Sequence, residues 1–156
     1  MPTRSAGILL HRPGADDPEV FVAHSGGPFW ARKDAGAWSI PKGEFDPASE
    51  DARDAAIREF REELGVDPPA GELVALGEFA YSSGKRVTVF AASGAAWDPA
   101  PFVFGEFELE WPPRSGRMRS FPEVDRAEWM PLETARPRLV TGQRPALDAL
   151  LAHVAR

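Results

Sequence analysis

The run from Gly43 to Val66, GEFDPASEDARDAAIREFREELGV, constrains the chain more than any other segment. Ile57, Phe60 and Leu64 recur at i, i+3 and i+7, which gives a helix one buried stripe and fixes the direction of its other faces. Asp46-Pro47 and Ser49 supply turn and N-cap chemistry ahead of the helix, and Gly65 supplies a C-cap behind it. The unit therefore reads as strand, loop, helix, stop. Glu59, Glu62 and Glu63 fall within an arc of roughly 100° on this helix. Glu59 and Glu63 stand at i, i+4, where like charges cost an isolated helix about 0.2–0.5 kcal/mol. Arg58 and Arg61 project away from the centre of the arc, so the carboxylates are expected to lack a cationic partner. A hard divalent cation meets that need, because it takes oxygen ligands and keeps waters and substrate phosphates as the others. The competing reading is a solvated Glu/Arg face, and the fixed orientation of the helix favours the cation.

At this point the residues resemble a known family. Gly43, Glu50, seven further residues and then Arg58-Glu59-Phe60-Arg61-Glu62-Glu63-Leu64-Gly65-Val66 are similar to the signature of the Nudix hydrolases. The second half of the signature matches at every specified position. Six residues separate Gly43 from Glu50 where the family usually has five; the extra residue lies within Phe45 to Ser49 and touches the role of Glu50, not the helix. The resemblance implies an α/β (α+β) fold, the Nudix α/β/α sandwich around a central mixed β-sheet. It implies Mg²⁺ or Mn²⁺ held mainly by Glu59 and Glu63, with Glu62 as ligand or support and the main-chain carbonyl of Lys42 completing the site. Arg58 would orient the glutamates. A further carboxylate from outside the helix is common in the family, some six residues before a tryptophan on a late strand, and Glu123 stands six before Trp129. Glu106, Glu108 and Glu110 are the alternatives for that place. The expected catalytic set is thus Glu63, Glu59, Arg58 and Glu123.

The rest of the chain is consistent with one domain over residues 1–156. At 43% hydrophobic content it can bury a single substantial core. Ser5–His11, Val20–Ser25, Ala37–Pro41, Glu72–Tyr81, Arg86–Ala92, Phe104–Trp111 and Glu128–Pro131 read as strands, and Arg144–Val154 as an amphipathic helix. Strands flanked by helices point independently to a layered α/β arrangement. There is no cysteine, which excludes disulfides and thiolate catalysis, and His11, His24 and His153 are too scattered for a structural zinc site. A net charge of −6 argues against binding a nucleic-acid backbone. No apolar run spans a membrane and the N-terminus lacks the features of a signal peptide, so a cytoplasmic location is expected. The apolar positions are compatible with a monomer or a homodimer.

Substrate signals are weaker. Lys42 and Gly43 sit in a Pro-Lys-Gly turn that Nudix enzymes acting on dinucleoside polyphosphates or inositol pyrophosphates often show. Tyr81 lies sixteen residues after Gly65, near where members acting on dinucleoside polyphosphates carry a base-stacking tyrosine. Arg114, Arg117 and Arg119 form a basic loop suited to distal phosphates, and GGPFWARKDAG mixes aromatic and basic residues between two strands. The expected activity is a metal-dependent pyrophosphohydrolase that cleaves a nucleoside diphosphate linked to another moiety, an NTP or a dinucleoside polyphosphate first. An inositol pyrophosphate or ADP-ribose type of substrate, or a non-catalytic nucleotide-sensing module, is the alternative. Repelling glutamates in a complete signature favour the enzyme.

Overall fold

The structure, a computed structural model, describes residues 3–155. Nine strands and three helices follow one another: β1 (Arg4–Arg12), β2 (Glu19–Ser25), β3 (Trp38–Ser39), β4 (Lys42–Glu44), α1 (Ala52–Leu64), β5 (Val74–Ala80), β6 (Arg86–Ser93), β7 (Glu106–Glu110), β8 (Met118–Pro122), β9 (Val124–Pro131), α2 (Leu132–Arg138) and α3 (Arg144–Val154), with a 3-10 turn at Thr141–Gln143. Seven strands form one mixed sheet, and β7 with β8 forms a separate hairpin. Among the described residues no helix is long and apolar enough to cross a membrane.

Side-chain alternation splits the core into two layers. On β1, Ala6, Ile8 and Leu10 face α1 with Phe60, Leu64 and Phe90, while Leu9 faces the other side with Val87, Val89, Leu132, Leu147 and Leu150. Since successive strand residues point to opposite faces, a strand that is apolar on both sides requires a layer of helix on each. The result is an α/β/α sandwich, as expected.

What positions the site is a divergence of β1 from β2. The two strands pair only at Leu10–Arg12 against Phe21–Glu19. Beyond that point β4 takes the edge of β1, with Ser5, Ala6 and Gly7 opposite Glu44, Gly43 and Lys42, and β3 takes the edge of β2 at Ala23 and His24. Residues 38–44 thus fill the gap between the splayed strands and lie over the C-terminal half of α1. The other edge of β1 runs parallel to β6 over its whole length, which anchors the framework.

Some local expectations are corrected. Asp51, not Ser49, caps α1: its side chain accepts from the Asp54 N–H. Ser49 instead belongs to a turn in which the Ser49 and Glu50 N–H groups donate to the Asp46 carbonyl. Gly65 ends the helix at φ 71°, a left-handed conformation that glycine adopts without cost, with its N–H on the Arg61 carbonyl. The strand expected at Ala37–Pro41 shrinks to Trp38–Ser39, with a further short strand following at Lys42–Glu44, and the one expected at Glu128–Pro131 begins at Val124. Neither β8 nor α2 was anticipated: MRSFP lacks apolar alternation, and LETARPR contains Pro137.

Candidate active site

Ala23, Ser25, Ser39, Lys42, Glu63, Glu123 and Val124 line a cavity of about 190 Å³ at the divergence of β1 and β2. Five segments meet here: β2, β3, β4, the last turn of α1 and the link between β8 and β9. A larger concavity of about 750 Å³ lies beyond Gly65 and is lined mainly by loops around Pro68 and Trp97. It holds none of the expected site residues.

Glu63 enters the cavity from α1, where one of its carboxylate oxygens (Oε2) accepts the Lys42 N–H at 3.2 Å. Burial pushes its carboxyl up to about 8, opposed by Lys42 and reinforced by the Glu123 and Glu59 carboxylates. Glu59 is shifted in the same direction by burial, with Arg58 opposing. Burial is the larger cause at both positions, and the neighbouring carboxylates add to it.

The geometric expectation that Arg58 points away from the acidic arc is corrected, and its contacts with the glutamates are of the kind the family resemblance implies. A long side chain folds along the helix axis: Arg58 Nη1 donates to Glu59 at 2.8 Å and to Glu62 at 3.2 Å, while Nε and Nη2 grip both oxygens of Glu50 at 2.9 and 2.8 Å. That bidentate fork holds Glu50, so the extra residue in the preceding loop is absorbed by the Asp46–Glu50 turn without losing the contact. The glutamates accordingly divide. Glu50, Glu59 and Glu62 share Arg58, whereas Glu63 faces Lys42 and the cavity.

Gly43 has a steric reason to be glycine. A Cβ there would lie 1.9 Å from Glu59 Oε2, so only a bare backbone lets that carboxylate lie against β4. Glu123 sits between β8 and β9, its N–H on the Gly105 carbonyl at 2.7 Å and its own carbonyl accepting from Gly26 at 2.9 Å. Of the four downstream glutamates only Glu123 lines the cavity; Glu106, Glu108 and Glu110 alternate along the exposed side of β7. Arg114, Arg117 and Arg119 are exposed on the β7–β8 hairpin.

Tyr81 lies behind the cavity wall. Its hydroxyl accepts from Gln143 Nε2 at 2.8 Å; Gln143 also donates to Ser39 Oγ at 2.9 Å and accepts from the Ile40 N–H at 2.8 Å. The ring packs on Gly142, where a Cβ would stand 2.2 Å from it. Gln143 is fully buried, so this network fixes Ser39 from behind. Nothing in the local sequence marks Ser25, Ser39 or Gln143: strand pairing brings the two serines to the cavity, and Gln143 reaches Ser39 from behind its wall.

Among the described residues no three acidic or histidine side chains already converge as a metal cluster. The donor set nonetheless suits a hard cation: Glu59, Glu63 and Glu123 offer carboxylate oxygen, and Glu63 and Glu123 line the same cavity.

An α/β/α sandwich thus carries a glutamate-rich helix beside a cavity of about 190 Å³. The chain belongs to the NUDIX domain family, whose model matches residues 1–150. Solved structures share the fold. The Ap4A hydrolase of C. elegans in a binary complex is 22% identical, with a TM-score of 0.65 and 98% of each chain covered. The E. coli ORF135 protein is 24% identical, with a TM-score of 0.60 and coverage of 99% of this chain and 92% of that one. The NUDIX domain of Shewanella oneidensis NrtR, complexed with ADP ribose, is 12% identical, with a TM-score of 0.65 over 99% of this chain and 89% of that one. No curated protein matches the chain by sequence.

Proposed function

We propose that the chain is a Mg²⁺- or Mn²⁺-dependent pyrophosphohydrolase that cleaves a nucleoside diphosphate linked to another moiety, an NTP or a dinucleoside polyphosphate before other substrates. The observation that carries this reading is geometric: Glu63 from α1 and Glu123 from the β8–β9 link line one cavity with Lys42, whose N–H donates to Glu63. Glu59, Glu63 and Glu123, with the Lys42 carbonyl, are the proposed ligands, and Glu62 supports them through Arg58. The cation would neutralise phosphate charge and lower the pKa of a bound water.

The chain's own groups do the rest. Arg58 holds Glu50, Glu59 and Glu62 in one register, so the ligand geometry is set before substrate arrives. Lys42, already beside Glu63, is placed for a phosphate oxygen. Water adds to phosphorus as the bridging P–O bond breaks, and one water proton must leave. Glu63 and Glu123, the carboxyls lining the cavity, are the candidates to take it. Arg117 and Arg119 would meet phosphates farther from the reacting centre, Arg114 likewise, and Gly43 keeps the floor open. Tyr81 would act through Gln143 and Ser39, not by touching substrate.

A structural neighbour complexed with ADP ribose places that ligand class in the test alongside non-catalytic binding. The experiment is a panel of ATP, diadenosine tetraphosphate, ADP-ribose and an inositol pyrophosphate, with Mg²⁺, Mn²⁺ or EDTA and products identified. Metal-dependent release from a nucleotide is expected. Silence on every substrate, with Glu63→Gln binding ligands like wild type, overturns the enzyme reading in favour of a sensing module.

A further inference from the structure

His11, His24 and His153 are scattered along the chain, and the fold brings two of them together. Leu9 of β1 faces the layer that holds α3, so His11, two positions on, faces it too. His153 lies in the last turn of α3. The two rings meet edge to face with centroids 6.2 Å apart. They stand where two depressions of about 280 and 630 Å³ adjoin, and both rings line both depressions. Neither depression shares a residue with the catalytic cavity.

The third histidine shows what the pair lacks. His24 is fully buried and each of its ring nitrogens has an oxygen partner, Nδ1 at 2.8 Å from Asp125 and Nε2 at 2.6 Å from the Lys33 carbonyl. His11 and His153 are half-buried, yet among the described residues neither ring makes a hydrogen bond or an ion pair, and their contact is with each other. A polar group taken partly out of water without a partner is costly, and two such rings side by side offer a lone pair each to one cation. Burial and the neighbouring His153 hold the His11 imidazole below its ordinary value, which favours the neutral form that a metal takes.

The surroundings favour positive charge. Glu72 lines the first depression, and Asp16 and Asp17 line the second. Arg12, the one arginine or lysine among the lining residues, is engaged by Glu19 at 2.6 Å and by the Trp129 ring at 4.2 Å. Reach is also right. A metal about 2.1 Å from a ring nitrogen lies roughly 3.2 Å from that ring's centroid, so two imidazoles on one ion have centroids at most about 6.4 Å apart. The observed separation falls inside that limit, and tetrahedral coordination asks for a closure of about 1 Å, which side-chain rotation supplies.

We propose that His11 and His153 form a two-histidine site for a borderline divalent transition metal, Zn²⁺ above all, which clasps the end of α3 to β1. Imidazole suits such ions, whereas Mg²⁺ takes hard oxygen donors, so the site is chemically distinct from the carboxylates of the catalytic cavity. No third acidic or histidine side chain converges on the pair among the described residues, so the other positions fall to water and the site is open, not a closed structural one. The clasp joins two elements that frame the catalytic cavity from behind: β1 carries β4 on its Ser5–Gly7 edge, and α3 follows directly on Gln143. Occupancy therefore stabilises the framework.

Calorimetric titration of Zn²⁺ in excess Mg²⁺, which fills oxygen-donor sites, is paired with NMR of the three imidazoles. Wild type is expected to bind one Zn²⁺ whose addition moves the His11 and His153 resonances and leaves those of His24 in place. His153→Ala and His11→Ala each lower the affinity about tenfold or more, because a lone imidazole loses its chelating partner, while Glu63→Gln binds Zn²⁺ like wild type. Zn²⁺ raises the Tm of wild type and not that of His153→Ala. Melts without metal monitor folding, and the NMR arm needs no variant. Stationary His11 and His153 resonances, an unchanged affinity in His153→Ala, or an affinity lost in Glu63→Gln instead overturns the site and leaves the two rings as a packed pair.

Discussion

On the α1 wall of the cavity, Glu50, Glu59 and Glu62 share the single guanidinium of Arg58, whereas among the described residues Arg114, Arg117 and Arg119, exposed on the β7–β8 hairpin, make no ion pair. Both walls are charged, and they are held in different ways. The first is tied by packing and ion pairs before any ligand arrives, which suits groups whose positions must be accurate to a fraction of an ångström. The second presents exposed cations, the groups proposed to meet the outer phosphates of a substrate. Glu63 belongs to neither pattern: it lies on the tied wall and lacks the guanidinium that balances its neighbours.

The sharpest way to break this contrast is at Glu63. Glu63→Gln is expected to lower kcat by on the order of 10³-fold with little change in nucleotide KM. A proportionate rise in KM instead would move Glu63 to the recognition wall. Next comes the pH response of the metal-free protein. The Glu63 carboxyl is raised from 4.5 to about 8, so between those values the folded state keeps a proton that the unfolded chain releases. Stability linked to this group is full below the unfolded value and declines as pH rises through the folded one. Denaturant unfolding in EDTA should therefore show a falling midpoint from pH 5 to 8, which Glu63→Gln flattens. A midpoint that rises across that range contradicts the burial of Glu63.

Gly43→Ala probes the tied wall from the other side. The added Cβ displaces Glu59, and a shift of about 1 Å in a ligand is expected to cost about 100-fold in kcat. Normal turnover would show that Glu59 need not lie against β4. Arg58→Ala releases three carboxylates at once and should cost about tenfold or more in metal affinity, with Arg58→Lys only partly restoring it because a point charge cannot reproduce the fork. The smallest effect is on the open wall: Arg117→Ala should raise nucleotide KM roughly threefold, less at high salt, without touching kcat. A fall in kcat there would erase the distinction between the walls.

The tied wall was legible in the sequence because it is local. The apolar stripe of Ile57, Phe60 and Leu64 aims the helix, and Glu59, Glu62 and Glu63 follow from helical spacing alone. Two of its features differ from the local pattern: Asp51 in place of Ser49 as the N-cap, and the reach of Arg58, a flexible side chain whose direction is not fixed by its Cα and whose role only the family resemblance implied. Glu123 was legible only through family resemblance, since strand pairing across some sixty residues brings it to Glu63. Ser25, Ser39 and Gln143 carry no local signal at all, because Gln143 reaches Ile40 from the far end of the chain. The β7–β8 face was half legible: alternation of Phe107, Leu109 and Trp111 marked one strand, but β8 has no such pattern.

The central claim is that Glu63, with Glu59 and with Glu123 across the cavity, forms a divalent-metal site. Titration of Mn²⁺ into the metal-free protein, followed by electron paramagnetic resonance, tests it most directly. Wild type is expected to bind about one ion per chain in the absence of nucleotide, and Glu63→Gln, with an unaltered melt, to lose about ten- to a hundredfold in affinity. Equal Mn²⁺ affinity in the two proteins would contradict the account.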